Sequence, residues 1–145
     1  DSSSANPNLE YQYGTLDIGL RHRFSETFVG ELVYSRTDRE DRFVGYNNYT
    51  RDKITLETTF ELSDNFDASI EISYRDQQYP NAFAFNNPTQ AAKEYQELEG
   101  EVSARYRFTD QLSLRFDVEY EDVESSDPRG AFDRLRTSLS VYWDF

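Results

Sequence analysis

The chain has no cysteine and no methionine, and only one histidine, one tryptophan and four prolines in 145 residues. Without cysteine there is neither a disulfide framework nor a thiolate metal site. A single histidine rules out a multi-histidine metal centre. No Ser/His/Asp arrangement, glycine-rich phosphate loop or metal-spaced histidine set is present either. The missing methionine is what a chain freed of its initiator and of any leader would show. No apolar run comes near the roughly 20 residues of a membrane helix. Positive charge is in short supply: 15 Lys and Arg stand against 28 Asp and Glu, a net charge of −13 that argues against nucleic acid as a partner. Mean hydropathy is −0.86, yet 16 % of residues are aromatic. That pairing is odd for a water-soluble globule, which needs more aliphatic side chains for its core.

What the chain does have is a period of two. Leu16, Ile18 and Leu20 alternate with Asp17, Gly19 and Arg21; Leu56, Thr58 and Phe60 with Thr55, Glu57 and Thr59; Ile70, Ile72 and Tyr74 with Glu71, Ser73 and Arg75; Val102, Ala104 and Tyr106 with Glu101, Ser103 and Arg105. Apolar steps of three and four residues, which a helix would need, are absent from these stretches. The pattern predicts seven strands and one domain: hairpins around residues 16–36, 53–75 and 97–121, then a closing strand over 132–145, preceded by a polar linker or loop remnant at 1–8.

Two kinds of connection take turns. The short ones align residue for residue: Phe24-Ser25-Glu26-Thr27-Phe28, Leu62-Ser63-Asp64-Asn65-Phe66 and Phe108-Thr109-Asp110-Gln111-Leu112. Each sets a hydroxyl, an acid and a polar residue between two apolar side chains, which suits a tight hairpin. The long ones, about 37–51, 77–92 and 122–130, are polar and rich in Asn and Asp. Aromatics cluster at both ends of the strands. Phe24, Phe28, Phe60, Phe66, Tyr106, Phe108, Trp143 and Phe145 lie near the short turns, and Tyr34, Tyr74 and Tyr120 near the long loops.

The last ten residues carry Leu139, Val141, Trp143 and the terminal Phe145 on one parity, with Ser138, Ser140, Tyr142 and Asp144 on the other. This resembles the closing strand of Gram-negative outer-membrane β-barrels, in which a terminal Phe on an alternating strand is the family's assembly signal. The turns at 63–66 and 109–112, together with residues 133–145, are similar in style to the barrels of exopolysaccharide export systems. They are also similar to the sheath barrels that hold multihaem cytochromes. The likeness spans the chain but is specific only to the superclass, and the absence of a Cys-x-x-Cys-His motif leaves no haem site here. The resemblance implies an all-β fold, an antiparallel up-and-down transmembrane barrel over 9–145. The two aromatic groups would mark the membrane interfaces, against lipid and lipopolysaccharide. The C-terminus would be periplasmic and read by the barrel-assembly machinery, with the long loops extracellular. The same alternation also fits a soluble barrel packed inward around a ligand.

On that plan the polar parity faces a lumen. Arg21, Arg23, Glu31, Lys53, Glu57, Glu71, Arg75, Glu99, Glu101, Arg105, Arg115, Asp117, Glu119, Arg134 and Arg136 would form its charged wall. They would be stitched by cross-strand ion pairs or act as a conduit surface with a slight preference for cations. The carboxylates around 97–101 and 117–122 are candidates for a hard divalent cation, although solvation or pairing with Arg105 and Arg115 is the simpler role. His22 belongs to the aromatic belt and has no catalytic partner. No catalytic residue, metal or cofactor is expected. A structural, sheath or adhesive barrel whose long loops, 77–92 among them, bind a partner, or a barrel enzyme using rim acids, are the alternative functions. Seven strands also set a problem: the first and last would run the same way, whereas single-chain bacterial barrels have an even number of strands. The expectation is a C-terminal part of a larger barrel, its other strands on an upstream segment or a separate chain. The alternative is an eighth strand within 9–14.

Overall fold

The computed structural model describes residues 11–41 and 48–144. The polar stretch 1–8, the centre of the first long connection and Phe145 lie outside them. Seven strands follow one another: β1 (Tyr11–Arg23), β2 (Phe28–Asp41), β3 (Tyr49–Ser63), β4 (Phe66–Phe83), β5 (Ala92–Arg107), β6 (Leu112–Ser125) and β7 (Phe132–Trp143). They form one antiparallel up-and-down sheet in sequence order, with β1 and β7 as its two edges. The helical content among the described residues is two single 3₁₀ turns, Ala84–Asn86 and Pro128–Gly130. The protein is all-β. Of the stretch 9–14, residues 9 and 10 lie outside the described residues, and from Tyr11 onward it belongs to β1.

Side-chain hydroxyls make the short turns tight. Thr109 Oγ1 accepts from the amides of Gln111 (3.2 Å) and Leu112 (3.0 Å), and Ser25 Oγ accepts from Thr27 N (3.2 Å). A hydroxyl that bonds the backbone two or three residues on satisfies donors the ladder does not reach. Neighbouring hairpins are then tied end to end, Glu61 N donating to Thr27 O at 2.8 Å and Arg107 N to Asn65 O at 2.8 Å.

At the other end the strands run further than polarity suggests. β4 continues to Phe83 and β6 to Ser125, through residues expected to be loop. Polar side chains on both faces mark a ladder with water on both sides; the backbone pairs regardless. Tyr79 pairs with Lys93, and the next pair is Phe83 with Ala92. The skipped residues include Pro80, which cannot donate to a ladder and sits at the irregularity.

The sheet has no apolar centre. Among the described residues no large side chain is fully buried, while Leu56, Ile70 and Val102 are 44 %, 38 % and 49 % exposed. The more covered side is the polar one, where Ser73, Gln77 and Ser103 are buried. This is the reverse of a soluble barrel packed inward on its aliphatic face.

Candidate functional site

Register divides the sheet into two surfaces. On the apolar one, β4 carries Phe66, Ala68, Ile70, Ile72 and Tyr74, a nine-residue span facing Tyr106 to Leu98 on β5. On β3 the matching span runs from Leu62 to Ile54. At ~3.3 Å per residue such a span is ~30 Å of strand, which at the tilt near 40° of a transmembrane barrel would make a band ~23 Å tall. Its short-turn edge is aromatic: Phe24 stacks on Phe28 and Phe28 on Phe60, each pair 4.8 Å apart. Tyr106 meets Phe108 edge-on at 4.9 Å, and Trp143 pairs with Leu112. His22 packs edge-on against Phe24 at 4.6 Å. The opposite edge has Tyr34 and Tyr74, which share Ile54 as pairing partner, and Tyr120 pairs with Gly100. Beyond that edge the same face turns polar, with Arg36, Asp52, Asp76 and Gln96 aligned in register. Tyr34 points its hydroxyl across this boundary onto Asp52 (2.5 Å). Leu139 and Val141 of β7 lie on the apolar surface too, opposite Phe116 and Leu114.

Every residue expected in the charged wall falls on the other surface. The pairing also reveals an arrangement that is not apparent from a list of residues. Arg21, Glu31, Glu57, Glu71, Glu101, Glu119 and Arg136 follow one another in register across all seven strands. Five carboxylates therefore stand in a lateral row with an arginine at each end. Directly opposed like charges repel, and the cations that offset them sit toward the row's ends. Arg21 approaches Glu31 at 3.8 Å, Arg115 approaches Glu101 at 3.4 Å, and Arg136 approaches Glu119 at 3.2 Å.

The neighbouring levels are mixed. Arg134 binds Glu121, Arg75 binds Glu97, and Ser73 donates to Glu99 at 3.3 Å. Asp117 collects Ser103, Ser138 (3.0 Å) and Arg115 (2.6 Å). Arg107 binds Asp67, and Arg105 pairs in register with both Asp67 and Arg115. Lys53 pairs with Arg75, two cations side by side. Arg23 lies at the turn, its guanidinium on the Glu26 carbonyl (3.2 Å). Among the described residues no three acidic or histidine side chains converge as metal ligands would. The acids around 97–101 and 117–122 are instead spread along strands and matched to Arg75, Arg115, Arg134 and Arg136.

At the long-loop end the same surface becomes aromatic and cationic. Tyr49, Tyr79 and Tyr95 contact in series at 5.7 and 5.9 Å. Arg39 lies 3.7 Å over Tyr11, Arg51 5.0 Å over Tyr49 and Lys93 5.1 Å over Tyr95. Ring faces here are capped by cations and by each other, each cation–ring contact worth about 0.5–1 kcal/mol at an exposed site. Above it the second and third long connections dock together. Asp127 is buried and accepts from the amides of Phe85 (3.2 Å) and Arg129 (3.2 Å) and from the Arg129 guanidinium (2.9 and 2.5 Å). The Arg129 guanidinium, with those amides, holds the Asp127 carboxyl well below the usual carboxylate range. Phe85 and Asn86 adopt left-handed φ of 54° and 55° to make the turn, and Gly130 lies against the Tyr95 ring. In loop 77–92, then, Tyr79 is half-buried between Tyr49 and Tyr95 while Phe85 stays 53 % exposed.

No protein-family model matches this chain, and no curated protein or solved structure matches it significantly.

Proposed function

We propose that the chain is a non-enzymatic part of the wall of a Gram-negative outer-membrane channel or export conduit. Its apolar surface meets lipid and its charged surface meets water in a lumen. The observation that carries this is the apolar band: nine residues deep, bounded by aromatic rings on both sides, and lying on the face with no packing partner. Monomeric soluble proteins rarely expose a contiguous apolar patch beyond a few hundred Å². A hydrocarbon layer ~25 Å thick removes that conflict, and the aromatic edges suit its two interfaces. The short turns and the C-terminus then lie on the periplasmic side, and the docked loops and polar strand extensions stand outside. A row of five carboxylates gives this wall a local preference for cations.

The test has two parts. Outer-membrane fractions of cells producing the full-length polypeptide should retain it after alkaline or salt washing, with gel mobility that changes on boiling. In planar bilayers the purified protein should conduct, and Glu57→Gln with Glu71→Gln should lower the cation-to-anion permeability ratio several-fold. A protein that is released by washing, with no boiling-dependent mobility, would sink the proposal.

A further inference from the structure

The chain holds nearly two acids for every base, 28 against 15, yet one part of the charged surface reverses that balance. It covers β2 to β5 at the long-loop end, above the carboxylate row. Three levels of register define it. Lys53 pairs with Arg75, whose other partner is Glu97; Arg51 pairs with Gln77; Arg39 pairs with Tyr49, and Lys93 with Tyr79. Strands ~4.8 Å apart and same-face residues ~6.6 Å apart make this a patch of ~14 by ~13 Å. It gathers five of the chain's fifteen Lys and Arg and a single carboxylate. All five cations are half-buried, and among the described residues the one ion pair in the patch is Arg75 with Glu97. Arg51 instead donates to Gln77 Oε1 at 2.8 Å, and Arg39, Arg51 and Lys93 rest on tyrosine faces. Asp127, in the connection above, is taken by Arg129.

Like charges side by side cost stability, and partial burial raises the cost because less water screens them. The fold keeps Lys53 opposite Arg75 at that cost. The carboxylate row is too far away to offset it. Glu57 lies four residues from Lys53, ~13 Å along β3, beyond the Debye length of ~8 Å at physiological salt. An anion lying among the cations would offset it directly. Arginine offers a carboxylate or phosphate two parallel N–H donors, and lysine offers a compact point charge. The tyrosine faces are already capped by these cations and by one another, so charge and not ring stacking selects the ligand. We propose that this patch is a binding site for a multivalent anion, whose several carboxylate or phosphate groups engage Arg51, Lys53 and Arg75 together. The site rests on the channel reading for a charged surface open to water, and deepens it by naming what the outer mouth takes. Five carboxylates cross the wall below and oppose onward passage, so the anion docks at the mouth.

Calorimetric titration of the purified full-length polypeptide in detergent tests this. Tripolyphosphate is the phosphate probe, benzenehexacarboxylate the carboxylate probe and acetate the monovalent control. At least one multivalent probe should bind, more weakly as salt is raised, and which one binds tells the two chemistries apart. Arg51→Gln with Lys53→Gln should weaken that binding about tenfold or more. The pair should still fold, since it removes repelling charge, and gel mobility with and without boiling checks this. Should it not fold, Lys53→Gln alone must still weaken binding several-fold. Arg36→Gln removes a cation at the same height on the opposite face and should leave the affinity unchanged. No binding of either multivalent probe, undiminished binding by the variants at Arg51 and Lys53, or an equal loss in Arg36→Gln would overturn the site. Acetate binding as tightly as the multivalent probes would do the same. Release of the protein from washed membranes would sink the channel reading whatever the calorimetry shows, whereas retention without binding would sink this site alone.

Discussion

Thr58 and Thr59 are identical side chains, adjacent in β3, on opposite faces of the sheet. Replacing each in turn with arginine isolates the question of which face meets lipid. Thr58 lies five residues from Ser63, the end of β3. At ~3.3 Å per residue and the 40° tilt of a transmembrane barrel it would stand ~13 Å above the short-turn end, near the middle of the apolar band ~23 Å tall. An arginine on the lipid face at that depth costs about 2–4 kcal/mol. Thr58 also donates to the Ile70 carbonyl at 3.3 Å, and losing that bond adds about 0.5–1 kcal/mol. Thr59 pairs with Val29 and Ser69 and lines an open recess of about 190 Å³ with Glu57, Asp67 and Arg115. An arginine there finds water and carboxylates, and should cost at most about 1 kcal/mol. The expected difference of about 2–4 kcal/mol is roughly a thirty- to several-hundred-fold change in the folding equilibrium. Denaturant titration of the protein in lipid vesicles, followed by its one tryptophan, Trp143, measures it. Equal penalties would mean that neither face sits in hydrocarbon. A larger penalty at Thr59 would mean that the charged side is the dry one, and the assignment of faces would be wrong.

Asp127→Asn should free the second and third long connections from one another, so that trypsin cuts after Arg129 at least several-fold faster on intact cells; an unchanged rate would show that the latch does not hold the loops. The folded-state pKa of Asp127 lies below its unfolded value, so its contribution is present above the unfolded value of about 3.9 and lost as pH falls through the folded one. Amide protection at Phe85, corrected for intrinsic exchange, should therefore hold from pH 7 to about pH 4 and decline only below it. Gly130→Ala should destabilise the same region by about 1–3 kcal/mol, because its Cβ would sit 2.9 Å from Tyr95 Cε1 and 3.3 Å from Ser125 Oγ. Thermal unfolding monitored by proteolysis would register it, and no change would mean that the Tyr95 ring gives way freely.

Alternation alone was enough to assign side chains to faces, because a strand's side-chain period is two and, apart from one irregularity between Glu61 and Ser63 beside the second short turn, the sheet keeps it from β1 to Tyr79. Within each hairpin the register was legible as well. Counting outward from the turn centres pairs Arg21 with Glu31, Glu57 with Glu71 and Glu101 with Glu119, as the sheet does. What the turns do not set is the level of one hairpin against the next, which depends on the long connections. The carboxylate row could not be drawn without those two offsets. Strand ends were misjudged for a related reason. At Asp122 to Ser125 and at Gln77 to Phe83 apolar residues do not recur on one parity, and periodicity falls silent there. The Asp127 latch joins residues 42 positions apart, and no local spacing announces such a contact.

A sheet with one broad greasy surface and nothing apolar packed against it among the described residues is not a self-contained folding unit. Its shape is a joint property of polypeptide and surroundings. Removed from acyl chains or a substitute such as detergent, the wall has no interior to fall back on, and the uncovered backbone edges become its stickiest parts. On the proposed membrane reading, newly made chains of this design would have to be kept from one another until delivered, and escort and insertion would belong to the folding pathway.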